Sequence, residues 1–380
     1  MKTRTKLIVV AVSLIVICFY VLVSSRVNAF TLEQVRAGIA AHEMQITSLE
    51  YREMITFCEF PDSIPGWSRD GTVYWDTDWN MAYSGLQRVT EPETDETGAQ
   101  IGKRWRQAYP LQWSWNGRRY EEYSVAVKTA HITDDVQYKR RLAEPNLVQW
   151  LGCSSIYYDT RLTLSETIDK YGAQIVEAEP TTIDGHEVVC LEILCPLKPT
   201  STNPNPEGAD YRMRFWISPE IQFSPLRMEK QRLVRTYGAT LFHDIKYEYV
   251  EGIAIPVSGL FDTYDPVPAD TRVLPSSLED MKQFMATIKC EFSEIKVNQR
   301  PSTDDLLEIP LPEGTKVIDR ISYLAYTIGE TTVTTLDPAR CEIKKVVDPQ
   351  TGVISFVDVK QNKLYRQNAG GVIVPVASGN

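Results

Sequence analysis

Three sets of side chains in this sequence have types and spacings that could do chemistry. They are four histidines, a group of cysteines, and a run of tryptophans with acids beside them. His42, His131, His186 and His243 stand far apart, and none belongs to an HExxH pattern, which sets two imidazoles and a general base on one helical face. His243 falls on the apolar parity of a strand-like segment and reads as a core histidine. Neither a GxSxG nucleophile elbow nor a glycine-rich phosphate loop occurs. Asp76 and Asp78, next to Trp75 and Trp79, suggest a carboxylate pair beside a sugar-stacking ring. Acids of one parity on a strand read first as a solvated face, however. The sequence points to a protein that is not an enzyme and needs no cofactor or metal.

Binding is the better-supported chemistry. Six of the eight tryptophans, Trp67, Trp75, Trp79, Trp105, Trp113 and Trp115, fall between residues 67 and 115. Large aromatics at this density either fill the core of a broad sheet or line an apolar or sugar-binding surface. Trp113 and Trp115 share a parity beside Asn116-Gly117, so both face the same side of a hairpin. Trp75, Trp105, Trp113 and Trp115 are therefore candidate ligand-facing residues. Trp150 and Leu151 join them from a short helix placed to act as a lid. The basic runs Arg118-Arg119 and Lys139-Arg140-Arg141 read as ion-pair partners on loops or as a docking patch for an acidic partner.

The ends and the charge set the context. Lys2, Arg4 and Lys6, the apolar run Leu7–Val23 and then Val27-Asn28-Ala29 have the order of a secretory signal. The alternative is a retained anchor through residues 7–23, slightly short of the ~20 residues that span a bilayer. Removing residues 1–29 takes away four bases and no acid, which moves the formal charge from −10 to −14. Such a surface repels phosphate backbones, so nucleic acid is not an expected partner. An exported location, periplasm or cell envelope, permits disulfides among Cys58, Cys153, Cys190, Cys195, Cys290 and Cys341. Six cysteines allow 15 pairings, which sequence does not resolve.

The elements that must position these residues are mostly strands. Thr31 with Gln34, then Leu32, Val35 and Ile39, open the chain with a capped amphipathic helix. Strand alternation follows from Leu49 to about residue 130, punctuated by Pro65-Gly66, Asp70-Gly71 and Asn116-Gly117. Two short helices come next: one on Pro145, Leu147, Val148 and Leu151, and one running from Thr163 to Gly172. Alternation resumes at Ile175. It runs through Tyr211–Ile217, Leu241–Tyr249 and Ala286–Phe292, and its parity slips at Ile295 as a bulge would make it. Residues 299–380 read as a linker and a small C-terminal extension whose last dozen residues fray. The fold class is mainly β (α+β): a large antiparallel sheet with one solvated face, the other face covered by a few helices.

This order of elements resembles the half-barrel family of periplasmic lipoprotein carriers (LolA-like and LolB-like), shared with the N-terminal domain of RseB. Arg214-Phe215-Trp216-Ile217-Ser218-Pro219 with Pro225-Leu226-Arg227-Met228-Glu229 resembles the family's strand–turn–strand at the sheet edge. Tyr249-Val250-Glu251-Gly252-Ile253-Ala254-Ile255-Pro256 resembles the hairpin that follows. Pro312-Glu313-Gly314-Thr315-Lys316-Val317-Ile318-Asp319 looks like a tail found in exported bacterial proteins with such a domain. The resemblance covers residues 30–298. The chain departs from the family's shorter members in the long loops at 60–70, 90–102 and 196–210. It implies a curved sheet whose concave apolar face holds a lipid, a lipoprotein acyl chain or an apolar peptide. The alternatives are an envelope sensor acting by protein contact and a carbohydrate-binding protein.

Overall fold

The structure, a computed structural model, describes residues 30–59, 65–98, 100–116, 119–134, 147–151, 162–197, 208–233, 237–267, 284–299, 309–368 and 371–376. The signal or anchor at 1–29, Cys153, Pro145 and the basic run 139–141 lie outside the described residues. Among the described residues no helix is long and apolar enough to cross a membrane.

Helix α1 (Leu32–Glu43) opens on the expected capping box, Thr31 with Gln34. Strands β1 (Ser48–Glu59), β2 (Pro65–Asp76), β3 (Met81–Thr94), β4 (Gln100–Trp105), β5 (Tyr109–Trp115), β6 (Tyr120–Ser124) and β7 (Thr129–Thr133) follow. Next come the four-residue α2 (Leu147–Trp150) and α3 (Leu164–Tyr171), the latter with a second capping box, Thr163 with Glu166. The chain returns to strands with β8 (Gln174–Val176), the small ribbon β9 (Thr182–Ile183) and β10 (His186–Glu187), β11 (Val189–Pro196) and β12 (Ala209–Ser218). Four more are β13 (Ser224–Arg232), β14 (Tyr237–Val250), β15 (Ile253–Val267) and β16 (Phe284–Val297). Three short strands, β17 (Lys316–Asp319), β18 (Leu324–Thr327) and β19 (Val333–Thr335), precede a separate sheet. That sheet is β20 (Ile343–Val347), β21 (Ile354–Asp358), β22 (Lys363–Gln367) and β23 (Ile373–Pro375).

Seventeen strands join in one large sheet. Its order is β8, β11, β12, β13, β14, β15, β16, β1, β2, β3, β5, β6, β7, β17, β18, β19. β4 is attached to the far half of β3. The neighbours are antiparallel except β7 and β17, which run parallel. The first and last strands of this order are not paired to each other, so the sheet is a half-barrel and not a closed barrel. The expected architecture is present, and the C-terminal segment enlarges it. Strands β17–β19 extend the main sheet, while β20–β23 build a second core with Tyr123, Ile132, Val317 and Phe356. Ile373 is buried in β23, so the expected fraying does not hold for residues 373–375.

Two details of register differ in outcome. The slip expected near Ile295 is there: Glu294 is left-handed at φ 53°, and β16 shifts against β1. The uninterrupted alternation expected for 241–249 is not. A bulge at Asp244 (φ 52°) shifts the pairing of β14 on β15, and Phe242 faces the core while His243 does not. An extra residue between paired strands flips the parity of everything after it.

One contiguous core unites the sheet's concave face with all three helices. Arg36 of α1 pairs with Asp169 of α3, which locks the two helices together. α2 is far too short to be stable alone, and Trp150 seats it. The indole lies edge-on to Phe242 and Phe292, each 5.6 Å away, directly over Gly259 of β15. A Cβ at residue 259 would stand 2.1 Å from the ring. Gly259→Ala should therefore destabilise the protein by about 1–3 kcal/mol through overpacking, measured by urea unfolding. In a Trp150→Ala background the same change should cost nothing, and an equal cost in both backgrounds would disprove the seating.

Candidate functional site

Directly opposed residues on antiparallel strands share a face, so the register assembles the site. One row crosses the concave face as Tyr51, Val73, Tyr83, Trp113, Glu122 and His131. The next runs Leu49, Trp75, Met81, Trp115, Tyr120 and Thr133. Tyr83 stacks on Trp113 at 6.0 Å, and Trp113 on Tyr120 at 6.2 Å. The rows thus form an aromatic wall that turns polar at β6 and β7.

The structure brings together five of the six sequence candidates in one core. Trp75, Trp113, Trp115, Trp150 and Leu151 are all at most 2% exposed. Trp105 stands apart on β4, paired with Thr90 and 41% exposed. Among the described residues the indole N–H groups of Trp75, Trp113 and Trp150 find no acceptor. A buried donor left unmade costs about 1–3 kcal/mol; Trp216, outside this core, carries one as well.

On the same face as the wall, farther along β1 and β2, sits a buried ion pair. Glu53 and Arg69 meet at 2.6 Å with side chains 1% and 6% exposed. The guanidinium lies 5.2 Å from the Tyr83 ring centroid. Tyr83 itself fits over the facing glycines Gly71 and Gly85, where a Cβ would strike its ring or hydroxyl. At the far rim Lys230 stands 3.9 Å from the Tyr211 ring, and burial pushes its ammonium down to about 7.

The wall's polar end is a half-open cleft of about 200 Å³ lined by Tyr120, Glu122, His131, Thr133 and Arg320. The Tyr120 hydroxyl donates to Glu122 at 2.6 Å. Sequence reading missed this cleft because Arg320 comes from the C-terminal segment. It reaches the cleft only through the parallel pairing of β17 on β7. The spacing of Glu122 and His131 gives no hint that they face each other.

Other candidates have structural occupations. Asp76 accepts hydrogen bonds from the Asn80 backbone and side chain and from Tyr74, so it shapes the turn after β2. His243 bonds Asp262 at 2.9 Å and Asp244 at 3.1 Å. Burial opposes its charge, but these two acids outweigh burial and raise its pKa. Thr287 donates to Asp262, not to the imidazole, an arrangement that does not make its hydroxyl a nucleophile. The described cysteines Cys58, Cys190, Cys195, Cys290 and Cys341 are free thiols. Burial pushes Cys190 up to about 12 and Cys195 to about 11, which favours the unreactive thiol.

The junction of the helices with the sheet also titrates. His42 Nε2 bonds the Ala254 carbonyl at 3.0 Å, and burial lowers its pKa. Glu43 accepts from the Ser165 backbone and hydroxyl at the start of α3, yet burial pushes it up to about 7.

No protein-family model and no curated protein matches the chain. Among solved structures it is similar to an outer membrane lipoprotein-sorting protein domain from Vibrio parahaemolyticus, at 10% identity and TM-score 0.39, over 72% of this chain and 94% of that one. A LolA superfamily protein from Nitrosomonas europaea gives 13% identity and TM-score 0.36, over 73% and 99%. A DUF1329 family protein from Desulfovibrio piger gives 9% and 0.36, over 73% and 97%. Likeness at this level concerns the outline of the fold and says nothing of ligand or role.

The raised Glu43 stabilises most below its ordinary value near 4.5, and that contribution is lost as pH rises through 7. Lowered His42 acts in the other sense, with stability lost as pH falls below its ordinary 6.5. Glu43→Gln should therefore gain on the parent protein between pH 5 and pH 8, by on the order of 2 kcal/mol in urea unfolding. Parallel profiles would contradict the assignment.

Proposed function

We propose that this protein is a non-catalytic binder of a lipid or an acylated lipoprotein chain in the cell envelope, with its apolar site on the concave aromatic wall. The observation that carries the reading is the pair of buried indole N–H groups at Trp75 and Trp113 without acceptors among the described residues. An ester or amide carbonyl is the acceptor that would satisfy them without bringing charge into the core. The acyl chain beyond that carbonyl would add about 0.8 kcal/mol per buried CH2.

Entry requires a cover that moves. α2 spans four residues and buries Leu147, Val148 and Trp150, with Leu151 after them, in the core, the Trp150 indole lying over Gly259. Displacing Trp150 exchanges that contact for a methylene chain against Gly259, Phe242 and Phe292, so the apolar surface stays buried throughout. The Glu53–Arg69 pair holds β1 and β2 in place while the cover shifts.

Native mass spectrometry of delipidated protein challenged with a palmitoyl lysophospholipid should give a one-to-one adduct. Trp150→Ala should raise uptake, because the slot is already open. Trp113→Phe keeps the ring and removes the donor. It should weaken the ester-bearing lipid several-fold while leaving a fatty alcohol unaffected, as the loss of one hydrogen bond requires. A clean apo mass for the parent and for Trp150→Ala would end this reading.

A further inference from the structure

The polar cleft at the end of the wall brings together three donor side chains from two distant parts of the chain. His131 and Thr133 stand on β7, and Arg320 follows β17, whose Ile318 lies opposite His131 in the parallel pairing. Among the described residues neither the Arg320 guanidinium nor the His131 imidazole has a hydrogen bond or ion pair. The Thr133 hydroxyl reaches Asp134 at 3.5 Å, longer than an ordinary O–H···O bond. The acids beside these donors are engaged elsewhere. Glu122, opposite His131, accepts from the Tyr120 hydroxyl at 2.6 Å and has a further interaction. Asp319 is buried, and its carboxylate accepts from the Ile321 and Ser322 backbone at 2.8 and 3.1 Å and from the Ser322 hydroxyl. The Arg320 N–H donates to the Ile132 carbonyl at 2.8 Å. These bonds fix the backbone on both sides of Arg320 and leave its side chain exposed.

Converging donors with no acceptor of their own describe an anion site. A guanidinium presents a planar fork that matches two oxygens of a phosphate or a carboxylate. The imidazole and the hydroxyl add donors from the neighbouring strand. A tetrahedral oxyanion therefore satisfies more of the set than a carboxylate with two oxygens. The volume of about 200 Å³ admits a phosphate group with a small substituent, and lies below the range of drug-sized sites. The chain's formal charge of −10 opposes an anion at long range. At physiological ionic strength that field is screened beyond about 8 Å, so the groups lining the cleft decide.

We propose that this cleft binds a phosphate group, held by the Arg320 fork and by the His131 imidazole and Thr133 hydroxyl. Charge-assisted hydrogen bonds from Arg320 supply the largest share of the hold. The cleft stands independently of the acyl-chain reading. Tyr120 both lines it and stacks on Trp113. The phosphate is therefore either a free anion or the headgroup of a lipid whose chains follow the adjoining wall.

The test is calorimetric titration of the full chain with inorganic phosphate, and separately with acetate at the same pH and ionic strength. Phosphate should bind one to one with a Kd at or below about 1 mM, and acetate several-fold more weakly. Arg320→Ala, at an exposed position, should keep the parent's urea midpoint. It should weaken phosphate about tenfold, as the loss of a charge-assisted hydrogen bond requires. Arg320→Lys keeps the charge without the fork and should fall between the two. No binding heat up to roughly 10 mM phosphate, acetate binding as tightly as phosphate, or indifference to Arg320→Ala overturns the proposal. Dihexanoyl phosphatidic acid below its micellar concentration separates the sources. Binding tighter than phosphate, and still weakened by Arg320→Ala, assigns the cleft to a lipid headgroup. Equal binding assigns it to a free phosphate and counts against the acyl-chain reading alone.

Discussion

The contact on which the rest depends is the Trp150 indole lying over Gly259, between Phe242 and Phe292. A sheet this wide must bury one face, and the described chain offers three helices for the purpose. Two of them secure each other, through Arg36 with Asp169 and Glu43 with Ser165. The third, α2, has one turn. Its position rests on Leu147, Val148, Trp150 and the following Leu151 in the core, with the Trp150 ring filling the space over Gly259. Such a fit is strong while intact and is lost as a unit, which suits a cover more than a permanent layer.

Beneath that cover the wall combines rigidity with unmet polar demand. Glu53 and Arg69 are costly to bury, and removing one alone would strand the other at a cost of about 3–5 kcal/mol. Their contact fixes the position of Tyr83, which in turn stacks Trp113 and through it Tyr120. The wall therefore has little freedom to collapse around the unpaired indole donors.

Much of the fold was legible in the residues. Both capping boxes, the Asn116 turn and the bulge near Ile295 came from local chemistry, which the chain settles within a few residues. Pro65-Gly66 and Asp70-Gly71, read as turns, lie instead inside β2, because pairing on both sides holds them extended. The resemblance drawn from residues 214–229 and 249–256 pointed to the open half-barrel that the pairing displays. The sequence also singled out Trp113, Trp115 and Trp150, because parity beside a hairpin and an apolar helix face are local signals. What it hid was long-range. Glu53 shares the parity of Tyr51 and Ile55, and its partner Arg69 is found only through the pairing of β1 with β2. His243 seemed to share the core parity, since the Asp244 bulge leaves no mark in the hydrophobic pattern. Arg320 could not be connected with Glu122 without the parallel pairing of β17 on β7, and parallel pairing has no short-range signature.

The account's central claim is that the aromatic wall, and not the outer face, receives an apolar chain. Tryptophan quenching by phospholipids brominated along the acyl chain tests it most directly, because bromine quenches only at contact. The account predicts strong quenching of the parent protein that falls sharply in a Trp113→Phe, Trp115→Phe double variant and is insensitive to Trp105→Phe. Quenching that follows Trp105 alone, or none at saturating lipid, would contradict it.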